Sequence, residues 1–314
     1  MITFHGLTKR YGDRIAVDGL TCEIASGRVT GVLGPNGAGK STTMRMLLGL
    51  DAPSAGRALI DGRPYAALRH PLREVGALLD ARAVHPGLTA RAHLLALARG
   101  NGIAARRVEE VLETVGLARV ARRRVGTFSL GMSQRLGIAG ALLGDPRVLV
   151  LDEPVNGLDP DGVRWIRRLM RSLAGEGRAV LVSSHLMSEM QETADHLIVL
   201  GRGRLIADAP LGEIIARSTG NSVRVRTPRA AELVTALTGA GMQVRWTAPE
   251  ELRVTGAPIE RIGLLAHEAG VPLHELSPRT ASLEHAYLEL TASSVAYAAP
   301  TPDTVPAAEA WGRS

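Results

Sequence analysis

The sequence predicts a layered α/β domain built on a mostly parallel sheet, followed by a smaller α+β domain. Three observations carry this. Val29–Leu33, Val148–Leu151 and Ala179–Val182 are short, continuous apolar runs of the kind buried on both faces of a parallel sheet. Between them, Val108, Val111, Leu112 and Val115, and later Trp165, Ile166, Leu169, Met170 and Leu173, recur at helical spacing. Strands alternating with helices imply layers. From Asn221 the texture changes: Val223 and Val225 alternate with polar residues, and Ala230, Leu233, Val234 and Leu237 follow on one helix face. Met242, Val244 and Trp246 then alternate, Leu252 and Val254 follow, Ile259, Ile262 and Ala266 trace a second helix, and Leu273 and Leu276 suit a last strand. The order βαββαβ is that of a small ferredoxin-like module. A final helix around Ser282–Leu290 is expected to close it.

These patterns divide the 314 residues into a large domain at 1–215, a small one at 216–291 and a tail at 292–314. The tail is rich in Ala, Pro, Ser and Thr, and its thin apolar pattern predicts disorder. Apolar residues make up 45% of the chain and aromatics only 3%, so the core must be aliphatic. No run reaches the length a membrane span needs, because even Leu136–Val150 is broken by Gly144, Asp145, Pro146 and Arg147. The first residues carry no basic segment leading into an apolar one, so no export signal is expected. A single Cys22 excludes an intrachain disulfide and fits a reducing compartment. The net charge of +6 is spread along the chain with little aromatic surface, so no nucleic acid is expected as a partner. All 37 basic residues are Arg except Lys9 and Lys40. Such a chain has a reason to place Lys at position 40.

That reason is a phosphate-binding loop. Gly34, Pro35, Asn36, Gly37, Ala38, Gly39, Lys40 and Ser41 fit GxxxxGK[ST] after an apolar strand and before a helical stretch at Ser41–Leu48. Glycines let backbone N–H groups turn toward phosphate oxygens at a helix N-terminus. Lys40 brings a flexible point charge to the β- and γ-phosphates, which the planar fork of Arg does not replace. The Ser41 hydroxyl suits Mg²⁺. A second constellation ends the run Arg147–Pro154, where a buried strand delivers Asp152 and Glu153 at its carboxyl end. Asp152 is expected to hold Mg²⁺ through water, and Glu153 to polarise an attacking water.

Further residues resemble the ABC ATPases over about the first 215 positions. Phe128-Ser129-Leu130-Gly131-Met132, trailed by Ser133-Gln134-Arg135, resembles the LSGGQ signature, with Leu130 in place of the first Gly and Met132 in place of Gln. The resemblance implies a RecA-like core with a helical subdomain, and it implies that Ser129 and Gly131 contact the γ-phosphate bound by an opposite subunit. Ser129 also suits a helix cap. Tyr11 matches the aromatic that stacks on adenine, Asp159 in Gly157-Leu158-Asp159 matches the D-loop that communicates across the dimer, and His185 matches the switch histidine. Asp80 stands where the family carries a Gln that contacts Mg²⁺ and the membrane partner. That stretch, the signature and the ending Ser282–Thr291 are together similar to daunorubicin-resistance-type and bacitracin-type exporter ATPases.

The resemblance therefore implies an ATP-hydrolysing subunit working as a homodimer at the cytoplasmic face of a membrane. ATP and Mg²⁺ are the implied ligands. The ATP would be held by Tyr11 and the loop Gly34–Thr42 of one copy and by Ser129, Leu130, Gly131, Met132 and Asp159 of the other. A separate transmembrane permease is the implied partner. Rival readings are a non-transport ABC protein of translation or repair, a kinase or GTPase, and a regulatory module. One cassette without a heptad run argues against the first, and no NKxD-like element supports a guanine reader.

Overall fold

Strands buried on both faces need a cover on each side, and the chain supplies two different ones. The computed structural model describes residues 1–291; the tail expected at 292–314 lies outside the described residues. The first elements are β1 (Ile2–Tyr11), β2 (Arg14–Ile24), β3 (Arg28–Leu33), α1 (Lys40–Leu47) and β4 (Ala55–Ile60). They are followed by α2 (Pro71–Glu74), β5 (Val75–Leu78), α3 (Ala90–Gly100), α4 (Arg106–Thr114) and α5 (Leu130–Leu142). Next come β6 (Val148–Asp152), α6 (Pro160–Gly175), β7 (Ala179–Ser184), α7 (Met187–Thr193), β8 (His196–Gly201), β9 (Arg204–Pro210) and α8 (Leu211–Ala216).

The central sheet has the order β5-β6-β7-β3-β8-β9, parallel throughout except for the antiparallel edge pair β8-β9. Alternation sorts its side chains. Leu149, Leu151, Val180 and Val182 join a core with Leu94, Val108, Leu112, Leu136 and Ile166 from the helices α3 to α6. Val148, Val150, Ala179 and Leu181 join a second core with Met44 and Leu47 of α1 and with Ile2, Phe4, Leu20 and Ile24. The last four belong to an antiparallel sheet of order β2-β1-β4 that sequence reading, intent on strand–helix alternation, did not separate from the rest.

The remaining elements are β10 (Ser222–Arg226), α9 (Ala230–Gly239), β11 (Gln243–Ala248), β12 (Glu251–Thr255), α10 (Ile259–Glu268), β13 (Glu275–Arg279) and α11 (Leu283–Thr291). The sheet β11-β12-β10-β13 is antiparallel, and Val223, Val225, Leu252 and Val254 bury one of its faces against Leu233 and Leu237 of α9 and Ile262 and Ala266 of α10. This is the split βαβ order that the sequence predicts. Leu273, expected in the last strand, precedes it.

The final helix departs from expectation. Leu283, Ala286 and Tyr287 of α11 belong to the large core rather than to the small one. The Leu283 N–H donates to Gln191 Oε1 on α7 at 2.8 Å, and Glu289 accepts from Ser218 Oγ at 2.8 Å and Thr219 N at 3.2 Å. The chain thus leaves the large domain, builds the small one and returns to tie both together. Leu283→Ala should cost about 2–5 kcal/mol, the range for a fully buried leucine. Chemical denaturation should register this in the large-domain transition; a loss confined to the small domain would contradict the packing.

Candidate functional site

The carboxyl ends of β3, β6 and β7 meet at one edge of the central sheet, and three chemistries arrive there together. The chain leaves β3 through Gly34 and re-enters helix at Lys40. Gly39, the residue before α1, has φ 103°, and a Cβ there would stand 2.6 Å from the carbonyl oxygen of Ala16, so no other residue fits. No side chain caps α1, which leaves its first N–H groups free to meet an anion. Lys40 is 7% exposed, and its ammonium donates to the carbonyls of Gly34 at 2.7 Å and Pro35 at 3.3 Å. Burial lowers the Lys40 pKa, and the carboxylates of Glu153 and Asp152 act against that shift. The cradle thus holds a cation curled onto its own loop.

β6 delivers the acids. Asp152 ends the strand, and its Oδ1 accepts from the Ser183 hydroxyl on β7. Glu153 follows with φ 49°, a left-handed conformation that costs a non-glycine residue about 1–3 kcal/mol. Two groups hold it there. Its N–H donates to Ser183 Oγ at 2.9 Å, and its carbonyl accepts from Gln134 Nε2 at 3.2 Å. So turned, Glu153 Oε2 lies 2.8 Å from His185 Nδ1, just beyond β7. Neither Ser183 nor Gln134 was singled out from the sequence, though both are fully or nearly fully buried polar residues.

A cavity of ≈ 470 Å³ lies in front of this edge, lined by Tyr11, Arg14, Asn36, Lys40, Thr42 and Glu153 among others, and Ser41 also faces it. Tyr11, at the end of β1, is 48% exposed and donates to Asp51 Oδ2 at 3.0 Å. Lost hydration and the neighbouring Asp51 carboxylate raise its pKa, so the ring stays neutral. Arg14 was missed by sequence reading; it pairs with Tyr11 across the β1–β2 turn and reaches to 3.3 Å from the position of a Cβ on Gly37.

The signature segment lies elsewhere. Ser129 caps α5, its Oγ accepting from Met132 N at 3.2 Å, and Asp159 caps α6 by accepting from Gly162 N at 2.8 Å. None of Ser129, Leu130, Gly131, Met132 or Asp159 lines the cavity of Lys40. Gln134, one turn into α5, nonetheless joins that helix to Glu153.

Comparison with known proteins agrees with this geometry. A family profile described as ABC transporter matches residues 17–156. The bacitracin transport ATP-binding protein BcrA of Bacillus licheniformis is 44% identical over 215 residues, covering 68% of this chain and 70% of that protein. The daunorubicin resistance ATP-binding protein DrrA3 of Streptomyces coeruleorubidus is 36% identical over 307 residues, covering 92% of this chain and 95% of the relative. The chain belongs to the ABC transporter ATP-binding proteins. Among solved structures, an ATP-binding subunit of an ABC transporter superposes with TM-score 0.63 at 27% identity, covering 69% of this chain and 92% of that one. The cassette MJ0796, solved as a post-hydrolysis dimer with ADP and Pi, superposes with TM-score 0.61 at 26% identity, covering 67% and 99%. A domain of unknown function matches residues 221–284.

As an ABC ATPase the protein binds and hydrolyses ATP. Among its described residues no helix is long and apolar enough to cross a membrane. Asp80, at the position where the family carries Gln, is held by its own turn. Asp80 does not line the cavity of Ser41; its Oδ1 accepts from the N–H of Arg82 at 2.8 Å and so caps its own turn. An aspartate is one methylene shorter than glutamine's reach, and a backbone donor two residues on captures it.

Leu130, the departure from the family signature, has a local partner. It is 41% exposed, and its Cγ and Cδ2 sit 2.3 Å from where a Cβ on Gly157 would be. Gly157, at φ 77°, is thus the seat of Leu130, joining the signature to the segment before Asp159. Gly157→Ala should lower both melting temperature and ATP turnover. Adding Leu130→Gly should recover part of the loss, with a coupling of roughly 0.5–3 kcal/mol in a double-mutant cycle; strict additivity would contradict the contact.

Proposed function

We propose that this protein is the motor of an exporter, in which two copies close around two ATP and drive efflux through a separate permease. The observation that carries the catalytic half is the pair Glu153–His185, 2.8 Å apart, with Glu153 lining the cavity of Lys40. Tyr11 offers its ring face to adenine. The loop Gly34–Thr42 turns its N–H groups to the phosphates, and Lys40 swings from the carbonyls of Gly34 and Pro35 to the β- and γ-oxygens. Glu153 draws a proton from the attacking water, and His185 orients that carboxylate beside the γ-phosphate. Ser129 and Gly131 of the opposite copy complete the pocket, which accounts for their distance from Lys40 within one chain.

Mg²⁺ fits the donors present, since the Ser41 hydroxyl and the Asp152 carboxylate are hard oxygen ligands; it would neutralise charge on the phosphates. No group of three or more His, Cys, Asp or Glu side chains able to hold a metal occurs among the described residues, so most of its coordination would come from nucleotide and water.

A second cavity of ≈ 560 Å³ supports the permease half. Leu48, Tyr65, Leu79, Val84 and Leu97 give it apolar walls, and Asp80 and His93 mark its rim. Burial lowers the His93 pKa, keeping the imidazole neutral in an apolar seat for a short helix of the membrane subunit. Docked there, the protein would sit at the cytoplasmic face of the membrane. The names of relatives, which include bacitracin and lantibiotic transport, daunorubicin resistance and Nod factor export, favour a drug, antibiotic or lipid-like cargo over a role in translation or repair. Residues 1–215 together with α11 form the ATPase unit on this reading, with 216–280 as an attached module.

Glu153→Gln should retain ATP binding while turnover falls by roughly 10²–10⁴, the usual contribution of a general base. The same variant with ATP should sediment as a dimer. Undiminished turnover would refute the base, and a strictly monomeric ATP-bound species would refute the composite pocket.

A further inference from the structure

The sheet of the small domain buries one face under α9 and α10 and presents the alternate residues on the other. Strand register arranges these into cross-strand rows. In the central row, Arg245 stands opposite Arg253, and Arg253 opposite Arg224, which in turn faces Ser277. Three guanidinium side chains in direct register repel one another and cost stability. Only Arg224 of the three has carboxylate partners among the described residues, Glu251 and Glu275. Even so, Arg224 Nε is buried and has no hydrogen-bond partner. In the adjacent row Gln243 pairs with Thr255, and Ser222 with Arg279, so donors continue across the face.

The first turn of α11 walls one side of this face. Arg224, Arg253 and Arg279 line a depression of ≈ 400 Å³ together with Ser282 and His285. At Ser222, Arg279 and Thr280 it joins a second depression of ≈ 580 Å³ at the end of the sheet, where Thr219, Asn221, Gln243 and Thr255 supply hydroxyls and amides. The volumes are those of small-molecule sites. One end offers guanidinium forks that match oxyanions, and the other offers neutral donors and acceptors.

We infer that this trough binds a small phosphate-bearing metabolite, with Arg253 and Arg279 on the phosphate and the Asn221–Thr255 end on its polar body. The site is separate from the ATP pocket. No Phe, Tyr or Trp side chain lines either depression, so the face lacks the row of large aromatic platforms with which single-stranded nucleic acid is held. Its concave wall at α11 does not suit a flat bilayer.

The test uses the full chain carrying Lys40→Ala, so that the phosphate-binding loop loses its cation, titrated calorimetrically with inorganic pyrophosphate. Saturable binding at one site is expected. Arg253→Gln and Arg279→Gln, both at exposed positions, should each weaken it roughly tenfold or more, as the loss of a charge-assisted hydrogen bond predicts, with no fall in melting temperature. Arg253→Lys should fall between, because it keeps the charge and loses the fork. Citrate should bind more weakly than pyrophosphate. Absence of saturable binding, affinity unchanged in the two Gln variants, tighter binding of citrate, or preference for a single-stranded oligonucleotide or for anionic vesicles would each overturn the assignment.

Discussion

The geometry of the active edge hangs on one hydroxyl. Ser183 is wholly buried, gives its hydrogen to Asp152 and accepts from the N–H of Glu153. It thereby holds both acids proposed for the reaction. Without it, a buried N–H would lose its partner at a cost of about 1–3 kcal/mol, and the left-handed backbone of Glu153 would lose its main support. The backbone turn is what aims the carboxylate at His185. The phosphate-binding loop, by contrast, leaves β3 and enters α1, so on the proposed roles holding ATP and cleaving it fall to different strands of one sheet.

Gln134 extends this arrangement beyond the strands. From the buried side of α5 it reaches the carbonyl of Glu153, while Ser129 caps the head of the same helix. One helix therefore links Glu153 to the signature segment. Leu130, seated on Gly157, adds a contact between the signature and the loop after Glu153. On the opposite side, α11 packs on the large core and holds α7 through Gln191, so the small domain is anchored next to the helix that follows His185. Its arginine face lies open beside that anchor.

Much of this was legible in the sequence because local chemistry dictated it. A chain that writes Arg almost everywhere isolates Lys40, and an apolar run ending in acids announces a strand end at an active edge. The period-2 pattern of Val223, Val225, Leu252 and Val254 likewise gave the small sheet. The parts that were not legible are those made by distance. Ser183 and Gln134 are ordinary residues until folding brings them, from 30 and 19 positions away, to Glu153, as it brings Arg14 to the phosphate loop. Alternation at Ile2, Phe4, Leu20, Cys22 and Ile24 would have revealed the antiparallel cover. The placement of α11 was not legible because its Leu283, Ala286 and Tyr287 face does not name the core it joins.

The central claim is that Ser183 supports cleavage and not nucleotide binding. It is tested most directly by single-turnover hydrolysis and ATP affinity measured side by side in Ser183→Ala and Ser183→Thr. The account predicts affinity within about twofold of the parent in both, a cleavage rate down roughly tenfold or more in Ser183→Ala, and recovery in Ser183→Thr, where the hydroxyl returns. An unchanged cleavage rate in Ser183→Ala, or a loss that falls entirely on affinity, would contradict it.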